Sequence, residues 1–205
     1  MASTFQPSIG GNYYVSALNS VSQAYSPATV IANLVPAVMS KIRNATEVLY
    51  ANGGRRFLYI SITPLGCSPN ILSGNPNAPR DSNGCIPDFN SISSAHSAQL
   101  SSLVSDLPSI HADATFVFLD YNAAYLQVLA NSASLGFTDT LNACCGAPNV
   151  PNRYSIATFC DALSTTTNST LCPDPNVFLS WDGIHYTHKF QLCNFKSYLR
   201  FWQFS

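Results

Sequence analysis

Phe57-Leu58-Tyr59-Ile60-Ser61-Ile62 is a short, nearly continuous apolar run, closed upstream by Gly53-Gly54 and downstream by Thr63-Pro64-Leu65-Gly66-Cys67. A run of this length, rich in aromatic and β-branched residues, describes a strand covered on both faces. A second such run, Thr115-Phe116-Val117-Phe118-Leu119, ends at Asp120, and the pattern from Tyr121 to Asn131 predicts a short helix. Helical stripes flank both runs. Strand, helix, strand, helix in this rhythm predicts an α/β fold with a parallel sheet. In such sheets ligands sit beyond the carboxyl ends of the strands, where Asp120 stands, although an Asp there more often caps the following helix.

Upstream of the first strand, Ser26-Pro27 reads as an N-cap with proline at the first helical position. Ile31, Leu34, Val35, Val38, Ile42, Ala45 and Leu49 then form one stripe, stopped by Asn52-Gly53-Gly54. Pro36 and Asn44 fall on the opposite, solvent side. Between the strands the next stripe is Phe89, Ile92, His96, Leu100, Leu103 and Leu107, which places His96 on an apolar face as a satisfied core histidine. Residues 3–9 make a poor strand because Gln6 and Pro7 interrupt it. The Gly10-Gly11 pair that follows predicts a tight turn bringing the amide of Asn12 close to whatever lies beyond.

The chain has 205 residues, of which only 9% are charged, with a formal net charge of -1. That length suits one domain over 1–205, and the weak charge gives no attraction to nucleic acid or to an anionic membrane. A small molecule is the expected partner. No apolar run reaches the length of a membrane span, and the first residues lack a signal peptide's charged and apolar regions. Seven cysteines without a Cys-x-x-Cys argue against a zinc site and for disulfides. The sequons at Asn44 and Asn168 add a possible pair of glycosylation sites and point, with the cysteines, to the secretory pathway.

Residues 132–177 have little periodicity, and a loop of that length needs stapling. Cys144 and Cys145 are adjacent and should reach separate partners; the odd count leaves one thiol over, with Cys193 the candidate. Near the end, Thr187 caps a helical pattern whose apolar stripe is Leu192, Phe195, Leu199 and Trp202, and whose start should hold His185 against the sheet. Just before it stands Trp181-Asp182-Gly183-Ile184-His185. Three residues of spacing let one turn bring the Asp182 carboxylate to the His185 ring, fixing its tautomer and leaving the second nitrogen to take a proton from a nucleophile. Taken alone, the pattern also describes a turn aspartate beside a surface histidine.

Four stretches in order resemble the plant-type GDSL esterase/lipases of the SGNH hydrolase superfamily: Ile9-Gly10-Gly11-Asn12, Pro64-Leu65-Gly66-Cys67, Ala143-Cys144-Cys145-Gly146 and Trp181 to His185. Gly84-Cys85 and Cys172-Pro173-Asp174-Pro175 also fit. The resemblance implies a three-layer α/β/α sandwich with a flavodoxin-like parallel sheet, and a secreted Ser-His-Asp ester hydrolase needing no cofactor or metal. It implies that His185 is the general base, Asp182 its orienting carboxylate and Asn12 a side-chain donor to the oxyanion. Three departures accompany it. Tyr13 stands where the family has Asp, and Tyr186-Thr187-His188-Lys189 replaces its Pro-Thr and Ala-rich helix. The Gly-Asp-Ser-Leu block with the nucleophile, which in the family precedes the Gly-Gly-Asn stretch, does not occur in these residues. The expectation is therefore a domain incomplete at its N-terminus, missing its first strands and catalytically silent alone. A ligand-binding or decoy protein that keeps the scaffold is the alternative.

Overall fold

The computed structural model describes residues 4–5, 9–19, 25–158, 160 and 169–193. They fall into two compact units, one of Met1–Leu65 and Asp88–Ala123, the other of Gly66–Pro87 and Ala124–Ser205. The elements are mixed helix and strand with parallel pairing, an α/β fold.

The first unit is built on β2 (Arg56–Ile60), flanked by β1 (Thr4–Phe5) and β3 (Thr115–Leu119), all parallel. Phe57 pairs with Phe116 and Ile60 with Leu119, and the amide of Ser61 extends the ladder to Leu119 O at 3.0 Å. Both long strands thus lie where their apolar runs predict. The weak stretch 3–9 yields only a two-residue strand, and Ile9 is exposed.

The helical stripe begins as read, with Ser26 Oγ accepting the Thr29 amide at 3.1 Å. It then runs through α2 (Pro27–Thr29), a π turn (Val30–Leu34) and α3 (Val35–Ala51). Across that wide turn the buried place passes from Ile31 to Val30; downstream the buried positions are Val35, Val38, Met39, Ile42 and Thr46, and Ala45 faces solvent instead of the core. Gly53, at φ 91, ends the helix, and the Gly54 amide returns to Leu49 O at 2.9 Å. Pro36 and Asn44 are exposed as expected. Asn168 lies outside the described residues.

After the short α4 (Pro69–Gly74) of the second unit, helix α5 (Pro87–Ile110) buries Ile92, His96, Leu100, Leu103 and Leu107. These join Phe57 and Tyr59 of β2 and the α3 residues in one core. Thr46 is admitted to it because its hydroxyl meets Ile42 O at 3.0 Å and the Tyr59 hydroxyl at 2.7 Å. Asp120 caps α6 (Tyr121–Ala130) by accepting the Ala123 amide at 3.0 Å, and also takes the hydroxyls of Ser61 and Ser97. The Gly10-Gly11 turn differs from expectation in one respect: Gly10, at φ 124, opens a helix, α1 (Gly11–Leu18).

The second unit supplies strands that aperiodic sequence hides. β4 (Asp139–Ala143) runs parallel to β7 (Phe178–Ser180), and β5 (Cys145–Gly146) pairs antiparallel with β6 (Thr170–Leu171). Cys144 bonds Cys172 and Cys145 bonds Cys160, so the adjacent pair does reach separate partners; Cys67 bonds Cys85. Cys193 belongs to none of these bridges. Arg153 fastens the same loop from within, its guanidinium donating to Ala143 O, Cys144 O and Thr170 O. Residues 188–193 are helical, but Phe190 is the buried residue and Leu192 is 45% exposed. The Phe190 ring takes the core position because Tyr125 and Tyr186 stand 5.3 and 4.5 Å from it, centroid to centroid. Phe195, Leu199 and Trp202 lie outside the described residues.

Candidate active site

Within the second unit, β7 delivers the chain into a tight loop that brings Asp182 and His185 together. His185 Nδ1 lies 2.7 Å from Asp182 Oδ2, and Asp182 Oδ1 accepts the amides of Ile184 at 2.9 Å and His185 at 2.7 Å. One carboxylate therefore orients both the ring and the backbone carrying it. Burial acts to raise the Asp182 pKa, yet the bonds from the His185 ring and from the two amides outweigh it and hold the carboxyl below its usual range. An ionised Asp182 fixes the proton on Nδ1 and leaves Nε2 as the basic nitrogen. Nε2 has no hydrogen-bond partner among the described residues.

The expectation that His185 packs against the sheet is not met. Its side chain is 75% exposed, while that of Asp182 is 23% exposed. The loop closes so tightly that the ring is turned outward, open to an incoming group.

Several residues without an evident sequence signal hold this loop. Ser180 Oγ accepts the Gly183 amide at 3.0 Å and donates to His185 O at 3.2 Å. Gly183 O accepts from Ser68 Oγ at 3.0 Å and from the Asn70 amide at 3.1 Å. The Trp181 amide bonds His185 O at 2.8 Å, and Trp181 O accepts the Cys145 amide at 2.7 Å. The bridged cysteines and the Asp182–His185 loop are thus parts of one hydrogen-bonded assembly. Gly183 is required here: its φ is 94, and a Cβ on it would stand 2.5 Å from Tyr154 Cδ2. The one sequence hint was the Gly inside the Asp-x-x-His block.

Asn12 belongs to the first unit, in the first turn of α1, with its side chain exposed and unbonded among the described residues. His96 departs from a fully satisfied core histidine. Its Nδ1 meets the Tyr14 hydroxyl at 3.0 Å, but its buried Nε2 has no partner among the described residues. Burial pushes its pKa down to about 4, so the ring is neutral at physiological pH, and burial likewise pushes the Tyr14 phenol well up.

An exposed imidazole is thus locked by an aspartate three residues before it, on an α/β scaffold, in an arrangement able to take up a proton. Comparison with known proteins assigns the class. Residues 8–192 match the family of GDSL-like lipases/acylhydrolases, and the chain belongs to that family. Among similar proteins, GDSL esterase/lipase LIP-4 of Arabidopsis thaliana is 34% identical over 75% of this chain and 40% of its own length. GDSL esterase/lipase At3g62280 of the same plant is 33% identical over 87% of the chain and 48% of its own length. Acetylajmalan esterase 2 of Rauvolfia serpentina is 31% identical over 75% of the chain and 41% of its length. The chain spans less than half the length of these relatives. Among the described residues no helix is long and apolar enough to cross a membrane.

Proposed function

We propose that the whole protein, a chain of its relatives' length containing these residues and a Gly-Asp-Ser block, is a carboxylic ester hydrolase of the Ser-His-Asp type. The observation that carries this is the 2.7 Å bond between Asp182 and His185 with the second ring nitrogen left for chemistry. The serine oxygen attacks the ester carbonyl while His185 Nε2 takes its proton. The C–O bond to the alcohol then breaks, and the alcohol leaves with the proton from His185. Water repeats the exchange on the acyl-enzyme, releasing the acid and regenerating the serine. Asp182 keeps the tautomer and stabilises the imidazolium. Asn12 donates its side-chain amide to the oxyanion, where the loss of one donor costs about 10²- to 10³-fold in rate.

The substrates are acyl or acetyl esters of small plant-type alcohols; the acetylajmalan esterase among the relatives supports an ester of that kind. Three disulfides fit an oxidising compartment, and we assign the protein to the secretory pathway, with Asn44 and Asn168 as its glycan acceptors. The family match runs through both units, which supports reading 1–205 as one domain. No Gly-Asp-Ser occurs in the 205 residues, so this chain alone is expected to be silent. The same observation favours a second reading, a ligand-binding or decoy protein on the hydrolase scaffold.

A fluorophosphonate probe separates the two. The whole protein should gain one adduct on a serine, and His185→Ala should abolish the labelling. Absence of any adduct, with ester ligands raising Tm but not being turned over, would establish the binding reading.

A further inference from the structure

The first unit holds two polar rings in its core that the proposed chemistry does not use. Tyr14 and His96 are both 0% exposed, and they bond each other at 3.0 Å between the phenolic hydroxyl and Nδ1. Their rings meet edge to face with centroids 5.8 Å apart. Whichever ring nitrogen carries the proton, Nε2 is buried without a partner among the described residues. Such a nitrogen costs stability, and a leucine on the α5 stripe would fill the site without that cost. The polarity therefore needs another reason than packing.

The surroundings supply one. Tyr14 sits two residues after Asn12 on the first turns of α1, and its amide closes that turn on Gly10 O at 3.0 Å. Gly10, which opens the helix at φ 124, lies directly against the pair: a Cβ there would stand 3.2 Å from His96 Cε1 and 3.2 Å from Tyr14 Cε2 and Cζ. Asn12 is thus held between a glycine packed on the imidazole and a tyrosine hydrogen-bonded to it. α1 has only eight residues and a first turn without a side-chain cap, so little within the helix itself fixes its entry.

We propose that the Tyr14–His96 pair is the positioning device for the Asn12 side chain, anchoring the start of α1 to the middle of α5. The hydrogen bond sets the rotation of α1 about its axis, and the Gly10 contact sets its distance from α5. Together they hold the backbone that carries the Asn12 side chain in one place before a ligand arrives, which lessens the reorganisation its amide needs to reach an oxyanion. A purely apolar contact would fix the distance but leave the helix able to turn. Neither Tyr14 nor His96 touches the reacting atoms. This inference rests on the reading of Asn12 as an oxyanion donor.

The test is a double-mutant cycle in the whole protein, following kcat and KM for a p-nitrophenyl ester. Tyr14→Phe removes one hydroxyl and keeps the ring. It should lower kcat by about 10- to 100-fold with KM nearly unchanged, as expected when a catalytic group is misplaced rather than deleted. In an Asn12→Ala background the same change should have almost no effect, because there is no amide left to position. Equal factors in both backgrounds would overturn the proposal and leave the role of Asn12 intact. No effect of Asn12→Ala by itself would remove the underlying reading, a different and recognisable failure.

His96→Gln, which retains a polar group for Tyr14, should recover much of the activity that His96→Leu loses. Equal activity in the two would also count against the pair. Should a variant not fold in the whole protein, the 15N resonances of the His96 ring in the 205-residue chain give an independent measurement. Tyr14→Phe should move the Nδ1 signal, and should change the Asn12 side-chain amide signals as well. If Nδ1 shifts while the Asn12 amide stays put, the two are not coupled and the proposal fails.

Discussion

His185 and His96 are the same residue put to opposite uses by their surroundings. At 75% exposure and bonded to a carboxylate, His185 keeps a basic nitrogen in solvent. His96, buried and bonded among the described residues to a phenol instead of a carboxylate, stays neutral. The pKa of His96 falls from 6.5 to about 4 in the folded chain, so the unfolded chain takes up a proton first as pH drops. Stability from this group is complete above pH 6.5 and is lost as the pH falls toward 4, by roughly 3 kcal/mol. Asp182, whose pKa is lowered, keeps its contribution until the pH falls below the normal carboxyl range. Denaturant unfolding at pH 7 and at pH 4 should therefore show a steeper loss in the native chain than in His96→Leu; equal losses would mean that His96 is not buried as described. The Asp182–His185 pair was legible because a three-residue spacing is itself a geometric statement. The exposure of His185 and the half-satisfied state of His96 were not, since both depend on partners 82 or more residues away or on how tightly a loop closes.

At the scale of elements, the two long strands and α5 read directly, because runs of apolar residues with a matching period need no distant information. The α2–α3 stripe reads correctly from Val35 to Ile42; the π turn at Val30–Leu34 puts Val30 in the core in place of Ile31, and the bond to the Tyr59 hydroxyl draws in Thr46 in place of Ala45. An insertion in helical phase has no composition of its own, so the sequence alone could not locate it. β4 was hidden for a related reason: Asp139-Thr140-Leu141-Asn142-Ala143 has neither strand period nor strand composition, and it pairs with β7 in a loop fastened by disulfides and Arg153. The Asp182–His185 loop is exacting about its residues. Gly183→Ala would need a left-handed backbone at an alanine and would drive its Cβ into Tyr154. It should cost about 1 to 3 kcal/mol in thermal or denaturant unfolding and weaken the Asp182–His185 bond at the same time. A variant as stable as the native chain would show that the loop tolerates another conformation.

The whole molecule combines a scaffold shared with GDSL-like lipases/acylhydrolases and an Asp182–His185 pair that is formed within 205 residues. Three disulfides stiffen the unit that carries the pair, each contributing about 2 to 4 kcal/mol by restricting the unfolded chain. They were partly legible: the separate fates of Cys144 and Cys145 follow from adjacency, but their partners do not, because pairing depends on the folded path. The division of labour proposed here puts the base in these residues and the nucleophile in the rest of a chain of the relatives' length. The most direct measurement is p-nitrophenyl acetate hydrolysis by that whole protein, alongside its His185→Ala and Asp182→Asn variants and the 205-residue chain. Turnover by the whole protein should fall by about 10⁶-fold in His185→Ala and about 10⁴-fold in Asp182→Asn, with the short chain inactive. Turnover that survives the loss of His185 undiminished would contradict the account.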